Sequence, residues 1–244
     1  MSRIIKGILF DKDGTLIDYN RTWVPINIRA AEHASGGDAD LRDRLLELGG
    51  QDLDAGTVRG GSLLAASNTS EIAAAWREAG AVSGGDLVAD LDSIFTEGAA
   101  GSVPVCDLPA LFARLRGRDL RLGVATSDSA AGARATLETL GVAADGLFVA
   151  GYDSGHGVKP EAGMAHGFMQ HYGLAPAEVA VIGDNLHDME MGRAAECGLC
   201  VGVLTGTATE DELARVADHI IAGIDRLEDL LDRLSADPAP ARPA

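Results

Sequence analysis

The sequence contains no apolar run of about 18 residues, the length that a membrane-spanning helix needs, so we expect no membrane span. Its first residues form a short strand-like run with two basic side chains, which is not typical of a secretory signal. Cysteine is scarce: only Cys106, Cys197 and Cys200 are present. An odd number of cysteines cannot pair completely, which is typical of a reducing compartment. Together these features predict a cytoplasmic location.

Positive charge is also scarce. The 37 Asp and Glu residues outnumber the 20 Lys and Arg residues and give a net charge of −17. Nucleic acid is not expected as a partner, because its phosphate backbone requires a basic surface. The same acidic field repels any phosphate-bearing substrate. A site for such a substrate would therefore need a bound divalent cation and a few local positive groups.

The pair Cys197 and Cys200 has the two-residue spacing of some metal and redox motifs. No second cysteine pair and no nearby histidine pair accompanies it. We therefore interpret both cysteines as buried small residues at a helix end and a strand start.

Apolar strand-like runs alternate with helix-like segments, which is typical of an α/β fold with a parallel sheet. The predicted strands are Ile4–Phe10, Leu120–Thr126, Leu147–Ala150, Val179–Gly183, Leu199–Leu204 and, at an edge, His219–Ala222. The predicted helices between them are Leu108–Gly117, Ser129–Gly141, Glu161–Tyr172, Leu186–Cys197 and Thr209–Val216. Four residues are predicted to end helices: Asp119, Gly141, Gly173 and Gly198.

Residues 18–104 interrupt this alternation. They contain Ala/Leu/Arg/Glu segments at helical spacing with no convincing strand, namely Trp23–Ala34, Ala39–Leu48, Glu71–Ala79 and Leu87–Phe95. We expect a mostly helical insert, a cap, within an α/β core formed by residues 1–17 and 105–234. The proline-containing residues 235–244 have no apolar face and are predicted to be a disordered tail.

Polar residues follow several of the predicted strands. Asp11 and Asp13 follow the first strand, Thr126 and Ser127 end the second, and Asp184 comes after Val179–Gly183. In an open parallel sheet the carboxyl ends of the strands share one edge, where ligands bind in a crevice. These residues are therefore expected to meet.

Asp184 and Asp188 form a second acidic pair. Four carboxylates in one crevice either take up protons or hold a cation. Oxygen ligands without His or Cys select Mg²⁺ rather than Zn²⁺. The alternative is that each Asp only caps the helix after it, which could explain Asp188 by itself but not all four. Lys159, one of only three lysines in the chain, could neutralise both a phosphoryl oxygen and a carboxylate.

With these residues the chain resembles the haloacid dehalogenase-like hydrolase superfamily, near its phosphoglycolate phosphatase-like branch. Four motifs occur in the family's order: Asp11-Lys12-Asp13-Gly14-Thr15, Thr126 after an apolar strand, Lys159-Pro160, and Gly183-Asp184-Asn185-Leu186-His187-Asp188. The resemblance implies a Rossmann-like parallel sheet core flanked by helices, with an inserted helical cap that closes over the site and selects the substrate.

The resemblance also implies a reaction, hydrolysis of a small phosphomonoester such as phosphoglycolate. Asp11 would attack phosphorus and form an aspartyl-phosphate. Asp13 would protonate the leaving alkoxide and then activate water. Thr126, Ser127 and Lys159 would bind the transferring phosphoryl group.

The resemblance places Mg²⁺ on Asp11 and Asp184, with the backbone carbonyl of Asp13 as a further protein ligand. Asp188 is expected to orient Lys159 or a water on the metal rather than to bind the metal itself.

In the cap, Arg59, Arg21 and Trp23 are candidates for substrate binding, although a surface arginine or a packed tryptophan is the simpler explanation of each. One departure from the family is visible: the helix after the fourth motif ends in Ala194-Ala195-Glu196-Cys197-Gly198 rather than in Ala-Gly. We expect Glu196 to alter only that helix end.

Two other functions remain open. A phosphomutase would use the same Asp11 and Asp13 but return the phosphoryl group to a second hydroxyl of a sugar phosphate. A non-catalytic phosphometabolite-binding protein could keep the fold, although loss of Asp11 or Asp13 would be its signature. In a dehalogenase, Asp13 and the second acidic pair would have no role. Phosphonate cleavage needs a lysine in the cap, and this chain has none there.

Overall fold

The computed structural model describes residues 5–67, 69–82 and 85–236. Within them the strands are β1 (Gly7–Phe10), β2 (Gln51–Asp52), β3 (Thr57–Val58), β4 (Arg121–Ala125), β5 (Phe148–Ala150), β6 (Val179–Gly183), β7 (Leu199–Val203) and β8 (His219–Ile221). The α-helices are α1 (Tyr19–Ala34), α2 (Ala39–Gly49), α3 (Leu63–Ala66), α4 (Thr69–Glu78), α5 (Leu87–Ala99), α6 (Leu108–Gly117), α7 (Ala130–Thr139), α8 (Gly163–Tyr172), α9 (Leu186–Ala194), α10 (Glu210–Leu213) and α11 (Leu227–Ala236). Two short 3₁₀ helices span Pro176–Glu178 and Ile224–Arg226.

The chain divides into two compact units. The first comprises Met1–Ile17 and Pro104–Ala244, and the second is the continuous segment Asp18–Val103. The chain leaves the first unit after Ile17 and re-enters it at Pro104, and these two residues form an antiparallel bridge.

The first unit is built on a six-stranded parallel sheet in the order β5-β4-β1-β6-β7-β8. The amino-terminal strand β1 lies in the middle, with Gly7 opposite Arg121 on one side and Val179 on the other. The predicted α/β fold with a parallel sheet is confirmed, and β8 lies at an edge as predicted. Because all pairs are parallel, the carboxyl ends of β1, β4 and β6 lie at one edge of the sheet.

Helices cover both faces of this sheet. Along β1 successive side chains point to opposite faces, so that Ile8 and Phe10 join one apolar cluster and Leu9 joins another. The first cluster includes Phe112 of α6, and the second includes Phe168 of α8. A strand buried on both faces is uniformly apolar, as β1 and β6 are.

The second unit is mostly helical and has its own apolar core. Leu45, Trp76, Leu87 and Leu91 are fully buried in it. The sequence predicted no strand here, and this was wrong: β2 and β3 pair as a short antiparallel hairpin. Strands of two residues are too short to show an alternating pattern.

Several helix ends differ from the predictions. The helix predicted over Thr209–Val216 is only the four-residue α10. After α9 the left-handed residue is Glu196, at φ 56°, rather than the predicted Gly198. Gly198 is needed for another reason, because a Cβ there would lie 2.2 Å from the carbonyl oxygen of Ala177.

The predicted tail began too early, because α11 continues through Ser235 to Ala236. The remainder of that tail, residues 237–244, lies outside the described residues. None of the helices found in the described ranges has the length and hydropathy needed to cross a membrane.

Candidate active site

Three aspartates meet at the carboxyl edge of the sheet. Asp11 follows β1, Asp184 follows β6, and Asp188 lies in the first turn of α9. One carboxylate oxygen from each lies within 4.8 Å of the others, and all three residues are buried. The parallel pairing of strands that are distant in sequence thus brings together residues that are far apart in the chain.

Lys159 lies between two of these carboxylates. Its Nζ is 2.5 Å from Asp11 Oδ1 and 2.7 Å from Asp188 Oδ1, and its side chain is only 4% exposed. Burial by itself would lower the pKa of Lys159, but the charges of Asp11 and Asp188 outweigh it and raise that pKa above its usual value. The ammonium therefore stays protonated at neutral pH.

Asp11 has one oxygen held and one available. Among the described residues its Oδ2 is buried and has no hydrogen-bond partner. Burial raises the pKa of Asp11 to about 6, against the lowering effect of Lys159. An unpartnered buried carboxylate oxygen is costly, and such an atom is typical of a functional site rather than of a structural one.

Asp184 is held in a cavity made by two glycines. A Cβ on Gly206 would lie 1.8 Å from Asp184 Oδ2, and a Cβ on Gly14 would lie 2.6 Å from the same oxygen. The backbone N–H of Thr207 donates to that oxygen at 2.8 Å. Burial, and next the charges of Asp11 and Asp188, raise the pKa of Asp184 well above its usual value.

The segment that holds Asp184 was missed in the sequence. Gly206 and Thr207 follow β7, and Thr205 beside them donates from Oγ1 to the carbonyl oxygen of Gly14 at 2.6 Å. The available signal was the run Thr205-Gly206-Thr207 directly after an apolar strand, at the edge where the other polar residues gather.

Asp188 has two contacts of different kinds. Its Oδ2 accepts a hydrogen bond from the backbone N–H of Asn185, which makes a capping box at the start of α9. Its Oδ1 contacts Lys159. A Cβ on Gly183 would lie 2.3 Å from Asp188 Oδ2, so only glycine fits there. Asp188 therefore caps its helix and also belongs to the three-aspartate cluster, so helix capping is not its only role.

Asp13 lies beside the three-aspartate cluster with a different partner. Its Oδ2 is 2.5 Å from Lys12 Nζ, which is also 2.9 Å from Asp128 Oδ2. Burial raises the pKa of Asp13, against the lowering effect of Lys12. Asp128 was not among the predicted site residues. Its signal was its position two residues after Thr126, in the loop that follows β4.

Thr126 is buried at the end of β4, whereas Ser127 is exposed. The Thr126 Oγ1 accepts a hydrogen bond from the backbone N–H of Asp128 at 3.1 Å. Its own hydrogen can therefore be donated to a ligand at this edge of the sheet.

The predicted cap residues belong to the second unit. Arg59 and Arg21 are exposed, and Trp23 is half-buried with its ring centroid 6.2 Å from that of Phe95. Trp23 thus packs within this unit, and a substrate-binding role for Arg59 stays a prediction.

The three cysteines are free thiols. Burial raises the pKa of Cys197 to about 12, and the neighbouring Cys200 adds to this effect. A thiol with so high a pKa is unreactive at neutral pH, which agrees with the interpretation of Cys197 and Cys200 as packing residues.

The fold and site together define a class: an α/β enzyme-like core with buried carboxylates and a lysine at the carboxyl edge of a parallel sheet. The family model described as haloacid dehalogenase-like hydrolase matches residues 5–196. The chain therefore belongs to the haloacid dehalogenase-like hydrolase family.

Three comparisons illustrate its relatives. The curated protein named "Probable phosphatase IndB" from Dickeya dadantii (strain 3937) is 28% identical over 217 residues, which cover 88% of this chain and 87% of that protein. A solved structure of a predicted phosphoglycolate phosphatase from Haemophilus somnus 129PT superposes with a TM-score of 0.67 at 19% identity and covers 94% of this chain and 99% of its own. A Thermotoga maritima structure, provisionally assigned as a β-phosphoglucomutase, gives a TM-score of 0.70 at 16% identity over 94% of this chain and 99% of its own. At these identities the two solved structures establish the fold alone.

Proposed function

We propose that this protein is a Mg²⁺-dependent phosphatase that hydrolyses a small phosphomonoester of the phosphoglycolate type through an aspartyl-phosphate. The observation that carries the proposal is Asp11. One oxygen of this carboxylate pairs with Lys159, and the other is buried without a partner in the part of the chain that the structure describes. A carboxylate held in one orientation with one oxygen unengaged is suited to attack phosphorus.

The residues present fit a magnesium ion. The donor set consists of carboxylate oxygens on Asp11, Asp184 and Asp188, the hard ligands that Mg²⁺ prefers. Asp11 and Asp184, with the backbone carbonyl of Asp13, would hold the ion, while Asp188 keeps its contact with Lys159. When bound, the ion supplies positive charge that offsets the negative charge of the phosphoryl oxygens and lowers the proton affinity of the carboxylates.

The chain's own groups account for the remaining steps. Asp11 forms the bond to phosphorus as the bond to the leaving oxygen breaks, and Asp13 gives its proton to that oxygen. Asp13 then takes a proton from the water that hydrolyses the acyl phosphate. Lys159 and the Thr126 hydroxyl donate hydrogen bonds to the phosphoryl oxygens, and both are positioned before substrate arrives.

The relatives support this reaction class. The curated relative is named as a phosphatase, and one structural neighbour carries the name of a phosphoglycolate phosphatase. We also propose a small phosphorylated metabolite as the partner and the cytoplasm as the location.

Release of inorganic phosphate from a panel of phosphomonoesters, with Mg²⁺ and then with EDTA, tests the proposal. We expect metal-dependent release, highest with phosphoglycolate, and a loss of more than about a thousandfold for Asp11→Asn. Asp153→Asn, which removes an exposed carboxylate from the same unit, is the control and should stay active.

Other outcomes would point elsewhere. A sugar phosphate converted to its isomer without phosphate release would identify a phosphomutase. Tight binding of a phosphometabolite without turnover, in a folded protein, would identify a binding protein. Asp11→Asn with unchanged activity would remove Asp11 from the reaction.

A further inference from the structure

Lys12 carries a buried charge that has no role in the proposed reaction. Its side chain is 1% exposed, although it lies between Asp11 and Asp13 in the chain. Taking an ammonium out of water is unfavourable unless it is paired, and an apolar residue of similar volume often fills such a place at no loss of stability. The charge at this position therefore calls for an explanation beyond packing.

The ammonium of Lys12 connects two loops of the first unit. It lies 2.5 Å from Asp13 Oδ2 and 2.9 Å from Asp128 Oδ2. Asp13 follows β1 and Asp128 follows β4, and these strands are neighbours in the sheet. Lys12 thus holds one carboxylate oxygen of Asp13 against a group that belongs to a different strand.

Asp128 is itself fixed through its backbone. Its N–H donates to Thr126 Oγ1 at 3.1 Å, and its carbonyl oxygen accepts from the N–H of Tyr152 at 3.0 Å. A Cβ on Gly151 would lie 2.3 Å from that carbonyl oxygen, so this close approach depends on glycine. The backbone of Asp128 is therefore fixed, and its carboxylate, which is 43% exposed, contacts Lys12, which in turn contacts Asp13.

We propose that Lys12 and Asp128 form a positioning pair that orients the Asp13 carboxyl group toward the oxygen of the leaving alcohol. The proposal rests on the proposed phosphatase reaction. Asp13 gives its proton to the leaving oxygen as the P–O bond breaks and regains one from the attacking water, whereas Lys12 keeps its protons throughout. Lys12 and Asp128 touch neither substrate nor metal and act only through Asp13.

The dependence of kcat/KM on the leaving group tests this role. The parameter kcat/KM reports steps up to release of the alcohol. p-Nitrophenolate leaves as a stable anion and needs no proton, whereas an alkoxide does. For Lys12→Met and for Asp128→Asn we expect kcat/KM to fall at least about tenfold more with the alkyl phosphate that the wild type hydrolyses fastest than with p-nitrophenyl phosphate.

The value of kcat provides a second expectation. Both esters pass through the same aspartyl-phosphate, whose hydrolysis also needs Asp13. Where that hydrolysis limits turnover, kcat should fall by the same factor for both esters, even though kcat/KM does not.

Two control variants match the two changes. Lys6→Met removes an exposed lysine that pairs with Glu178, and Asp153→Asn removes a carboxylate whose Oδ1 accepts from the N–H of Ala130. Both should leave the ratio of kcat/KM values for the two esters unchanged. If Lys12→Met does not fold, Asp128→Asn decides the question, because it keeps the ammonium and its contact with Asp13.

A purely structural pair would lower kcat/KM for both esters by the same factor or leave it unchanged, and either result with Asp128→Asn would overturn the proposal. A wild-type protein that hydrolyses no phosphomonoester would instead refute the proposed function, on which this inference depends. The two failures are therefore distinct.

Discussion

At the residue scale, the central feature is the accumulation of carboxylates that burial makes reluctant to ionise. Asp11, Asp13 and Asp184 all have pKa values above the usual range, with desolvation as the largest cause. Lys159 and Lys12 offset part of this negative charge. A site of this kind is maintained at a cost in stability, and a bound cation reduces that cost.

This cost predicts a pH dependence of stability. The pKa of Asp11 is about 6 in the folded chain and 3.8 for the free group. Between these values the folded state binds more protons than the unfolded state does. The free energy of unfolding therefore falls as pH rises through this window, by about 3 kcal/mol for Asp11. Above about pH 6 no further loss from this group is expected.

Urea unfolding in EDTA at several pH values measures the effect. Asp11→Asn should lose less stability than the wild type as the pH rises across the window, whereas the control Asp153→Asn should follow the wild type. Added Mg²⁺ should stabilise the wild type more at the upper end of the window than at the lower. Parallel curves for wild type and Asp11→Asn would show that Asp11 does not carry this cost.

A second prediction concerns the space around Asp184. Gly206→Ala would place a Cβ 1.8 Å from Asp184 Oδ2, so the carboxylate must move away from its hydrogen bond with Thr207. We expect the affinity for Mg²⁺ to fall at least about tenfold, as measured by calorimetry and by the Mg²⁺ dependence of phosphate release. Gly117→Ala is the matched control, because a Cβ there meets nothing within 4 Å. Equal affinities in the two variants would contradict the assignment of Asp184 as a ligand.

At the element scale, α9 links the fourth motif to the sheet. The helix begins with the capping box of Asn185 and Asp188. It ends at Ala194, and Glu196 beyond it has a left-handed backbone. The left-handed conformation costs a residue with a Cβ about 1–2 kcal/mol, whereas glycine adopts it readily. This end of the helix is therefore strained, while its beginning is well satisfied.

The strain predicts that Glu196→Gly stabilises the protein. We expect the free energy of unfolding to rise by about 1 kcal/mol, with catalytic parameters unchanged. The same substitution inside the helix, Glu190→Gly, is the control and should destabilise by about 1 kcal/mol. Chemical denaturation of both variants checks the opposite signs, and a loss of stability in Glu196→Gly would contradict the assigned backbone conformation.

The elements differed in how well they could be predicted. Strands β1 and β6 were predictable because burial on both faces makes them uniformly apolar, and β4 because it is apolar after Arg121. Polar residues follow each of the three. The hairpin of β2 and β3 was not, because two residues carry no period. The left-handed Glu196 was also missed, because the expected residue at such a position is glycine. The order of the strands came only from the structure, since it depends on pairing between distant segments.

The candidate site shows the same division. Asp11, Asp184, Asp188 and Lys159 could be predicted because their chemistry is visible in their side chains, and the structure brings them together. Gly206 was missed although it follows an apolar strand, because its contribution is the absence of a side chain.

At the scale of the whole molecule, the net charge of −17 opposes the approach of an anionic substrate. Lys159 and Lys12 are paired with carboxylates of the site, so the net acidic field dominates at a distance, and salt screens it over a Debye length of about 10 Å at 0.1 M. Binding of a phosphate ester should therefore be weakest at low ionic strength.

This predicts an unusual salt response. At saturating Mg²⁺, kcat/KM should rise as salt is added from low ionic strength up to about 0.1 M. The rise should be steeper for phosphoglycolate, which carries an additional carboxylate, than for p-nitrophenyl phosphate, and that comparison is the control. A fall in kcat/KM for both esters would mean that local positive charge dominates the approach.

The position of β1 has a consequence for biosynthesis. This strand is the first of the sheet to leave the ribosome, yet its partners Arg121 and Val179 follow much later. Such distant pairing makes for slow folding, and meanwhile the apolar run Ile8–Phe10 is without its neighbours. The intervening segment Asp18–Val103, whose core consists of its own residues, can fold while the rest of the chain is still being made. We therefore expect chaperones to bind mainly to the first strand while the chain is being synthesised.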